Sequence, residues 1–482
     1  MRRAIIVSWL LLWAQSARAV PALELLGGAR PDRAFGGRST PIGAQSAYFN
    51  PAFLPGTPGG AELTFVALDQ SLQLDLFARP EGYDVPEDVY RARQRTDEGT
   101  TARLTDRPLP TGRLRNPRGS DDPDAFNQFV VFGTTLPLWA DRLTLGFVAV
   151  LPVGVFQRQA PFYSDAREQA FSNSLHFELL GDRLDLTPFT LGMGFRPLPH
   201  LSVGLGATLI NHADSRPAIY VPDAADQETA TTNAAVDVSV ALAPHFGVVI
   251  RPLADERLRL TATAHLASES AVSGRSALQF WDYEYPEGQT ALYQPFRQVF
   301  AHEPLRVGFG ASGRLPSLPI EVHVDGLWTR WSAYHDRHDE VPDDFADTLG
   351  VQGGVDLDID DLSVSFGMNY APTPVPEQTG RTNYVDNARL GAQVGGRYVM
   401  PFEGWHLAVG AGFQAQRLLA RDHFKRTDAA RPVVDEFPDS VDANTGAPIA
   451  SSAGVQTNNP GFPGFHSEGW LLAALVRLEV FR

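Results

Sequence analysis

Trp405-His406-Leu407-Ala408-Val409-Gly410-Ala411-Gly412-Phe413-Gln414-Ala415-Gln416 alternates from end to end. The odd positions are apolar, and the even ones are His, Ala, Gly or Gln. Successive side chains of a strand point to opposite faces, so this stretch is a strand with one apolar and one polar-or-glycine face. The same pattern recurs outward from it. Leu201, Val203, Leu205, Ala207 and Leu209 alternate with Ser202, Gly204, Gly206 and Thr208. Leu258 to Leu266 sets apolar residues against Arg259, Thr261, Thr263 and His265, and Ile320, Val322 and Val324 stand against Glu321, His323 and Asp325.

A soluble sandwich would alternate in the same way, so the connections carry more weight. Short links fall at Leu138–Arg142, Pro197–His200, Pro252–Arg257, Leu315–Leu318, Asp360–Asp361 and Met400–Gly404. Long ones fall between them at Arg79–Ala125, Gln157–Leu180, Arg216–Thr232, Ser268–Glu303, His335–Asp344, Ala371–Asp386 and Leu418–His466. Short periplasmic turns opposite long extracellular loops are the mark of an outer-membrane barrel, and this count gives about fourteen strands. The expected fold is an all-β, antiparallel transmembrane β-barrel with both termini periplasmic.

Composition agrees. Of the 482 residues 20% are charged and 43% hydrophobic, which reads as soluble, but in a barrel only every second strand residue meets lipid. Arg2 and Arg3, the apolar run Ala4 to Ala14, and Ala17-Arg18-Ala19 form a secretory signal peptide over residues 1–19. Export to the bacterial outer membrane and cleavage near Val20 are expected. The net charge of −16 argues against a nucleic-acid partner. There is no cysteine, hence no lipidated N-terminal Cys and no disulfide framework. Trp139 and Trp405 beside short turns, and Trp328, Trp331 and Trp470 beside long loops, suggest two interfacial girdles.

Several motifs lead nowhere. Gly308-x-Gly310-x-x-Gly313 lies inside an alternating strand rather than at a turn opening a helix, so it reads as small lumen-facing residues and not a dinucleotide site. His335, Asp336, His338 and Asp339 lack ordered ligand spacing. Asp356, Asp358, Asp360 and Asp361 lack the glycine and terminal glutamate of a calcium loop. Arg91, Arg93 and Arg95 read as a solvated loop or a contact to lipopolysaccharide phosphates. No catalytic constellation, metal site or cofactor motif is read, so no enzyme and no cofactor is expected.

Residues 20–60 do not alternate. They are rich in Gly, Ala and Pro and end in Ser46-Ala47-Tyr48-Phe49-Asn50-Pro51-Ala52. Asn50 followed by Pro51 reads as an N-cap with Pro at N1. Preceding the first strand, this segment lies on the periplasmic side or inside the barrel. It resembles the S-A-x-x-x-N-P-A stretch of the FadL/TodX family of outer-membrane transporters for hydrophobic compounds, with Gln45 where that family often has Asp. Val324-Asp-Gly-Leu-Trp328-Thr-Arg-Trp331-Ser332, Asp347-Thr-Leu-Gly-Val351 and Met368-Asn-Tyr-Ala-Pro372-Thr-Pro-Val-Pro376 resemble later strands of the same family. The resemblance implies a fourteen-stranded barrel (61–482) with residues 20–60 folded into its lumen as a hatch, the motif residues being Ser46, Ala47, Asn50, Pro51 and Ala52. It implies passive uptake of hydrophobic compounds such as long-chain fatty acids or aromatic hydrocarbons, through loop capture, a lumen pocket and lateral release at the third strand. Expected partners are the hydrophobic substrate, outer-membrane lipid and lipopolysaccharide, and the barrel-assembly machinery, with the protein monomeric. A general porin, or a structural or adhesive barrel binding through its long loops, would share the strand pattern.

Two segments bear on that route. The third strand is apolar on its second face at Val148 and Val150 and is followed by Pro152 and Gly154, which suit either a lateral opening or the start of a loop. Beyond it Phe156, Phe162, Tyr163, Phe171 and Leu175 offer apolar surface for capture or for packing on the rim, with Phe171, Leu175 and Leu179 at helical spacing. The chain ends irregularly. Phe481 falls on the parity of Arg477 and Glu479 and is followed by Arg482, which implies a bulge or an atypical terminal strand.

Overall fold

The computed structural model describes residues 21–77, 125–139, 142–153, 175–180, 184, 186–222, 230–280, 284, 290–336, 339–380, 382–426, 461 and 463–482. In chain order the strands are β1 (Gly60–Leu76), β2 (Ala125–Trp139), β3 (Leu143–Pro152), β4 (His176–Phe177), β5 (Phe189–Leu198), β6 (Leu201–Val221) and β7 (Thr231–Ile250). They continue with β8 (Leu258–His265), β9 (Ser268–Phe280), β10 (Leu292–Glu303), β11 (Arg306–Arg314), β12 (Ile320–Thr329), β13 (Thr348–Ile359) and β14 (Leu362–Ala371). The last are β15 (Tyr384–Val385), β16 (Arg389–Phe402), β17 (Trp405–Phe424) and β18 (Gly464–Phe481).

Sixteen of these strands form one sheet. Within it β9 and β10 are a hairpin outside the ring, so fourteen strands close the barrel, β6 pairing with β7 and β1 with β18. Every neighbouring pair in the ring is antiparallel, and the expected short links that are described throughout, Pro197–His200, Pro252–Arg257, Leu315–Leu318, Asp360–Asp361 and Met400–Gly404, all lie at the same end.

The outward face of each strand carries the apolar parity. Leu63 and Phe65 on β1, Val203 and Leu205 on β6, Val322 and Val324 on β12, and Val476 and Leu478 on β18 are all exposed. A closed barrel leaves no edge, and lipid is the solvent that makes such a face stable. Trp139 and Trp405 are exposed at strand ends, and Trp470 is exposed within β18. Trp331 is not in a girdle: it sits in the 3-10 turn Trp331–Ala333 and packs on Tyr334, with ring centroids 5.6 Å apart. Gly308 and Gly310 face the lumen, but Gly313 lies on the outward parity with open space beside it, because strict alternation separates it from the other two.

Two of the long connections are built of strand. Both ends of Arg216–Thr232 belong to β6 and β7, which pair out to Tyr220 and Thr231. Ser268–Glu303 is the β9–β10 hairpin, whose β9 runs parallel to the upper part of β6. The Phe171/Leu175/Leu179 helix is not formed where the chain is described. His176–Phe177 instead pairs in parallel with β15, and Leu175 and Phe177 turn into the core. Tertiary pairing overrides the local spacing there.

The chain end is regular. β18 pairs with β1 without a shift from Phe465 to Phe481, and its only irregularity against β17 lies at Leu418/Arg421, far from the terminus. Phe481 therefore faces inward, stacked on His406 at 5.1 Å, and no bulge rotates it toward lipid.

Candidate functional site

The lumen is filled by residues 21–59. A helix at Pro21–Leu26 is followed by irregular chain, a helical turn at Ser46–Phe49 and a 3-10 turn at Pro51–Phe53. Asn50 caps the last of these: its side chain accepts from the Ala52 N–H at 3.2 Å, with Pro51 at N1. Its amide also donates to the Arg38 carbonyl at 3.3 Å, and Ser46 Oγ accepts from the Ile42 N–H at 3.1 Å. The motif is thus a compact knot of backbone-binding side chains.

The small residues of the motif meet a floor of glycines. Gly146 on β3, Gly192 on β5, Gly204 on β6 and Gly247 on β7 face it. A Cβ at Gly192 would lie 2.7 Å from Ala47 Cα, and one at Gly146 would lie 3.0 Å from Ala47 Cβ. Glycine is the only residue that admits this approach of two backbones. His245 on β7 then donates from Nε2 to the Ala47 carbonyl at 2.6 Å. Ser46, Ala47, Asn50, Pro51 and Ala52 are all buried in this groove.

Opposite, the hatch is held by charge. Arg33 pairs with Asp358 at 3.1 Å and Asp356 at 3.7 Å, and Ser39 donates to Asp325 at 3.0 Å. Glu62 pairs with Arg477 across the β1–β18 seam and accepts from the Ala44 N–H at 3.2 Å. Asp356 and Asp358, read from sequence as part of a failed calcium cluster, are partners of a hatch arginine. Within the hatch Glu24 takes Arg38 at 2.6 Å and the Tyr48 hydroxyl at 2.7 Å, and it lies 3.7 Å from Arg306 on β11. Burial opposes the Glu24 carboxylate, but Arg38, Arg306 and His265 together hold its pKa well below the usual carboxylate range. Gln45 binds both the N–H and the carbonyl of Ala29, at 2.8 and 3.2 Å. An aspartate there could accept but not donate.

Above the hatch the lumen changes character. Leu23, Leu25 and Leu26 of the first helix pack with Val66, Leu68, Leu72 and Leu74 of β1, Phe129 and Val131 of β2, and Val148 and Val150 of β3. Leu175, Phe177, Leu180 and Leu184 close this cluster from the loop side. Beside it lies a cavity of about 160 Å³ lined by Leu25, Leu179, Leu184, Leu327 and Trp331, with Arg306, Arg389 and Asn369 among its polar lining. Leu25 and Leu184 belong to both the cluster and the cavity wall.

Val148, Val150 and Leu175 therefore join one apolar lumen surface, whereas Gly154, Phe156, Phe162, Tyr163 and Phe171 lie outside the described residues, as do Arg91, Arg93, Arg95 and residues 1–20. β3 is not kinked in its described part. It pairs with β2 continuously from Thr144 to Pro152, and with β5 from Leu143 to Ala149. The Val150 N–H then donates to the Pro188 carbonyl at 3.2 Å, and the β5 side ends. Above Phe189 β5 ends, Leu186 and Thr187 turning inward and buried, and from Ala213 upward β9 takes the edge of β6 that β5 leaves. The signal missed in the sequence was charge inside the hatch. Glu24, Arg33 and Arg38 stand in a Gly/Ala/Pro-rich segment, and Glu62 and Arg477 stand on lumen parity, each a buried charge needing a partner.

An apolar exterior, a closed ring and a lumen occluded by the N-terminal segment define a plugged transmembrane β-barrel. Its fold is that of a FadL homologue from Pseudomonas aeruginosa, whose crystal structure matches with a TM-score of 0.55 at 13% identity, over 97% of this chain and 98% of that one. The FadL resemblance read from the sequence is thus matched in fold. The Pseudomonas putida toluene transporter TodX covers 98% of this chain and 99% of its own, with a TM-score of 0.45 at 10% identity. The CymD monoaromatic hydrocarbon channel covers 95% and 98%, with 0.45 at 12%. No family model matches the chain, and neither does any curated protein sequence.

Proposed function

We propose that this protein is a FadL-type channel, monomeric in the bacterial outer membrane, that takes up small hydrophobic compounds passively. The observation that carries the proposal is the cavity of about 160 Å³ between the hatch helix and the loop residues Leu179 and Leu184. A benzene ring occupies a cavity of about 150 Å³, so by volume this one has room for a single aromatic ring, its apolar wall being Leu25, Leu179, Leu184, Leu327 and Trp331. A one-ring aromatic compound therefore fits without rearrangement, whereas a long acyl chain needs the hatch or loops to move. Of its charged lining, Arg306 pairs with Glu303 and Glu24, and Arg38 with Glu24; Asp386 and Arg389 complete it. An aqueous porin needs a polar open lumen, and here the hatch fills it.

The driving force is the solute gradient together with removal of apolar surface from water. Exit is sideways past the upper part of β3, where its ladder with β5 stops at Ala149 and Val150 lines the inner surface. Barrier lipids on both sides of the route are apolar, so a lateral exit keeps the solute out of water throughout.

The test is uptake of labelled toluene and labelled palmitate by cells with and without the protein. Faster toluene uptake with the protein is the expected result, with a smaller gain for palmitate. Equal uptake of both compounds in both strains would overturn the transport reading.

A further inference from the structure

The β9–β10 hairpin and the β12–β13 connection meet at the loop end of the barrel, and three side chains from them converge. Glu269 comes from β9, His302 from β10, and His335 from just after the 3-10 turn Trp331–Ala333. Glu269 Oε2 lies 3.2 Å from His302 Nδ1 and 3.5 Å from His335 Nδ1. The two imidazoles are nearly parallel, 5.1 Å between centroids at 6°, so both Nδ1 edges address the same carboxylate oxygen. The three donor atoms all lie within 4.8 Å of one another.

We propose that Glu269, His302 and His335 form a site for a divalent transition-metal ion of the zinc class, clamping the β9–β10 hairpin to the β12–β13 connection. Donors about 2.0–2.2 Å from a tetrahedral ion sit roughly 3.3–3.5 Å from one another. The two carboxylate–imidazole separations are close to that spacing, and with the imidazole nitrogens within 4.8 Å of each other an ion would draw the pair together. Two imidazole nitrogens and one carboxylate oxygen select zinc, nickel or copper over calcium and magnesium, which prefer all-oxygen sets. Three protein ligands leave a fourth position for water.

The ligands are held from behind. Arg297 binds the other oxygen of Glu269 and also binds Asp339, whose Oδ1 lies 3.0 Å from His335 Nδ1. The His302 ring is set edge-on against Tyr334, which is fully buried, at 5.5 Å and 82°. Supports of this kind fix ligand orientation. Asp336, grouped with the histidines in the sequence, is used otherwise: it accepts from the Tyr384 hydroxyl at 2.7 Å and from the Glu340 N–H at 2.9 Å. Periodicity and spacing could not reveal the site, because its members are brought together only by the hairpin's fold. His302 also lines the cavity, so a bound ion would stabilise the arrangement that roofs it. The site itself does not depend on the transport reading, since binding is measured on the purified protein.

The experiment titrates untagged, EDTA-stripped full-length protein in detergent with ZnCl2 by calorimetry, and with CoCl2 by visible absorption. One equivalent of zinc and a cobalt spectrum of low coordination number are expected. Loss of a ligand in His302→Ala, His335→Ala or Glu269→Gln should weaken binding at least as much as loss of an outer-shell partner does, about 10–100-fold. His466→Ala, on β18, should bind as the unmodified protein does. Heat-dependent gel mobility of the barrel checks folding, and Glu269→Gln, nearly isosteric, keeps the test informative if a histidine variant misfolds. Absence of zinc binding by the unmodified protein overturns the proposal. So does equal binding by the unmodified protein and the folded ligand variants, or a preference for calcium.

Discussion

The hatch is held in the lumen by two sets of contacts of opposite character. Below, the hatch meets the wall through ion pairs, carbonyl hydrogen bonds and a glycine floor. Above, the same hatch meets β1, β2, β3 and β18 through leucine, valine and phenylalanine. Directional contacts specify one position of a segment that lacks extended secondary structure; non-directional ones leave an upper surface able to receive any apolar solute. A plug that must hold until it moves is suited by the first kind, and a chamber with broad tolerance by the second.

The strongest way to break this contrast is to remove the hatch. A protein lacking residues 21–59 should form an open pore in a planar bilayer, while the full chain conducts almost nothing. Equal conductance of the two would mean that the hatch does not seal the barrel. Next comes a single latch. Arg477→Ala leaves the buried Glu62 carboxylate without its partner, a loss of about 3–5 kcal/mol for such a pair. Limited trypsin digestion should then cut at Arg30, Arg33 and Arg38, which are protected in the parent. Adding Glu62→Leu should restore part of the protection, since an apolar pair in place of a buried ion pair is often neutral or better.

The upper half should respond differently. Leu23→Ala deletes a fully buried side chain from the apolar cluster, at about 2–5 kcal/mol. Its effect should fall on uptake selectivity, admitting larger solutes, while the lower arginines stay protected from trypsin. Exposure of those arginines by Leu23→Ala would show that the two halves are one cooperative unit.

How much of this was legible in the sequence follows the same division. The wall could be read because β-strand geometry has a period of two, so Trp405 to Gln416 announces its faces without knowledge of any neighbour. The turn-and-loop rhythm then ordered the ring. The Asn50-Pro51 cap could be read because capping is local. What could not be read depends on partners distant in the chain. The Glu62–Arg477 and Arg33–Asp358 pairs span nearly the whole barrel, and the glycines at 192 and 204 look like ordinary strand glycines until Ala47 and Pro51 are laid on them. Leu175 and Leu179 suggested a helix by spacing, and only the pairing of β4 with β15 shows why none forms there.

The smallest expected effect tests the charge latch by titration. Around Glu24 stand Arg38, Arg306, His265, Tyr48 and Glu303. Burial raises its pKa, and the arginines and His265 overcome that and depress it. Asp32 is likewise depressed, burial being outweighed by Arg30 at 2.9 Å and by Arg33. A carboxylate whose folded pKa is lowered stabilises the fold wherever pH exceeds its unfolded value, and loses that contribution as pH falls toward the folded one. Unfolded carboxylates titrate near about pH 4. Lowering the pH of a reconstituted bilayer from neutral to about 5 should therefore leave conductance unchanged, with hatch release beginning only in stronger acid. A conductance rise with a midpoint between about pH 5 and 7 would show that groups other than Glu24 and Asp32 control the hatch.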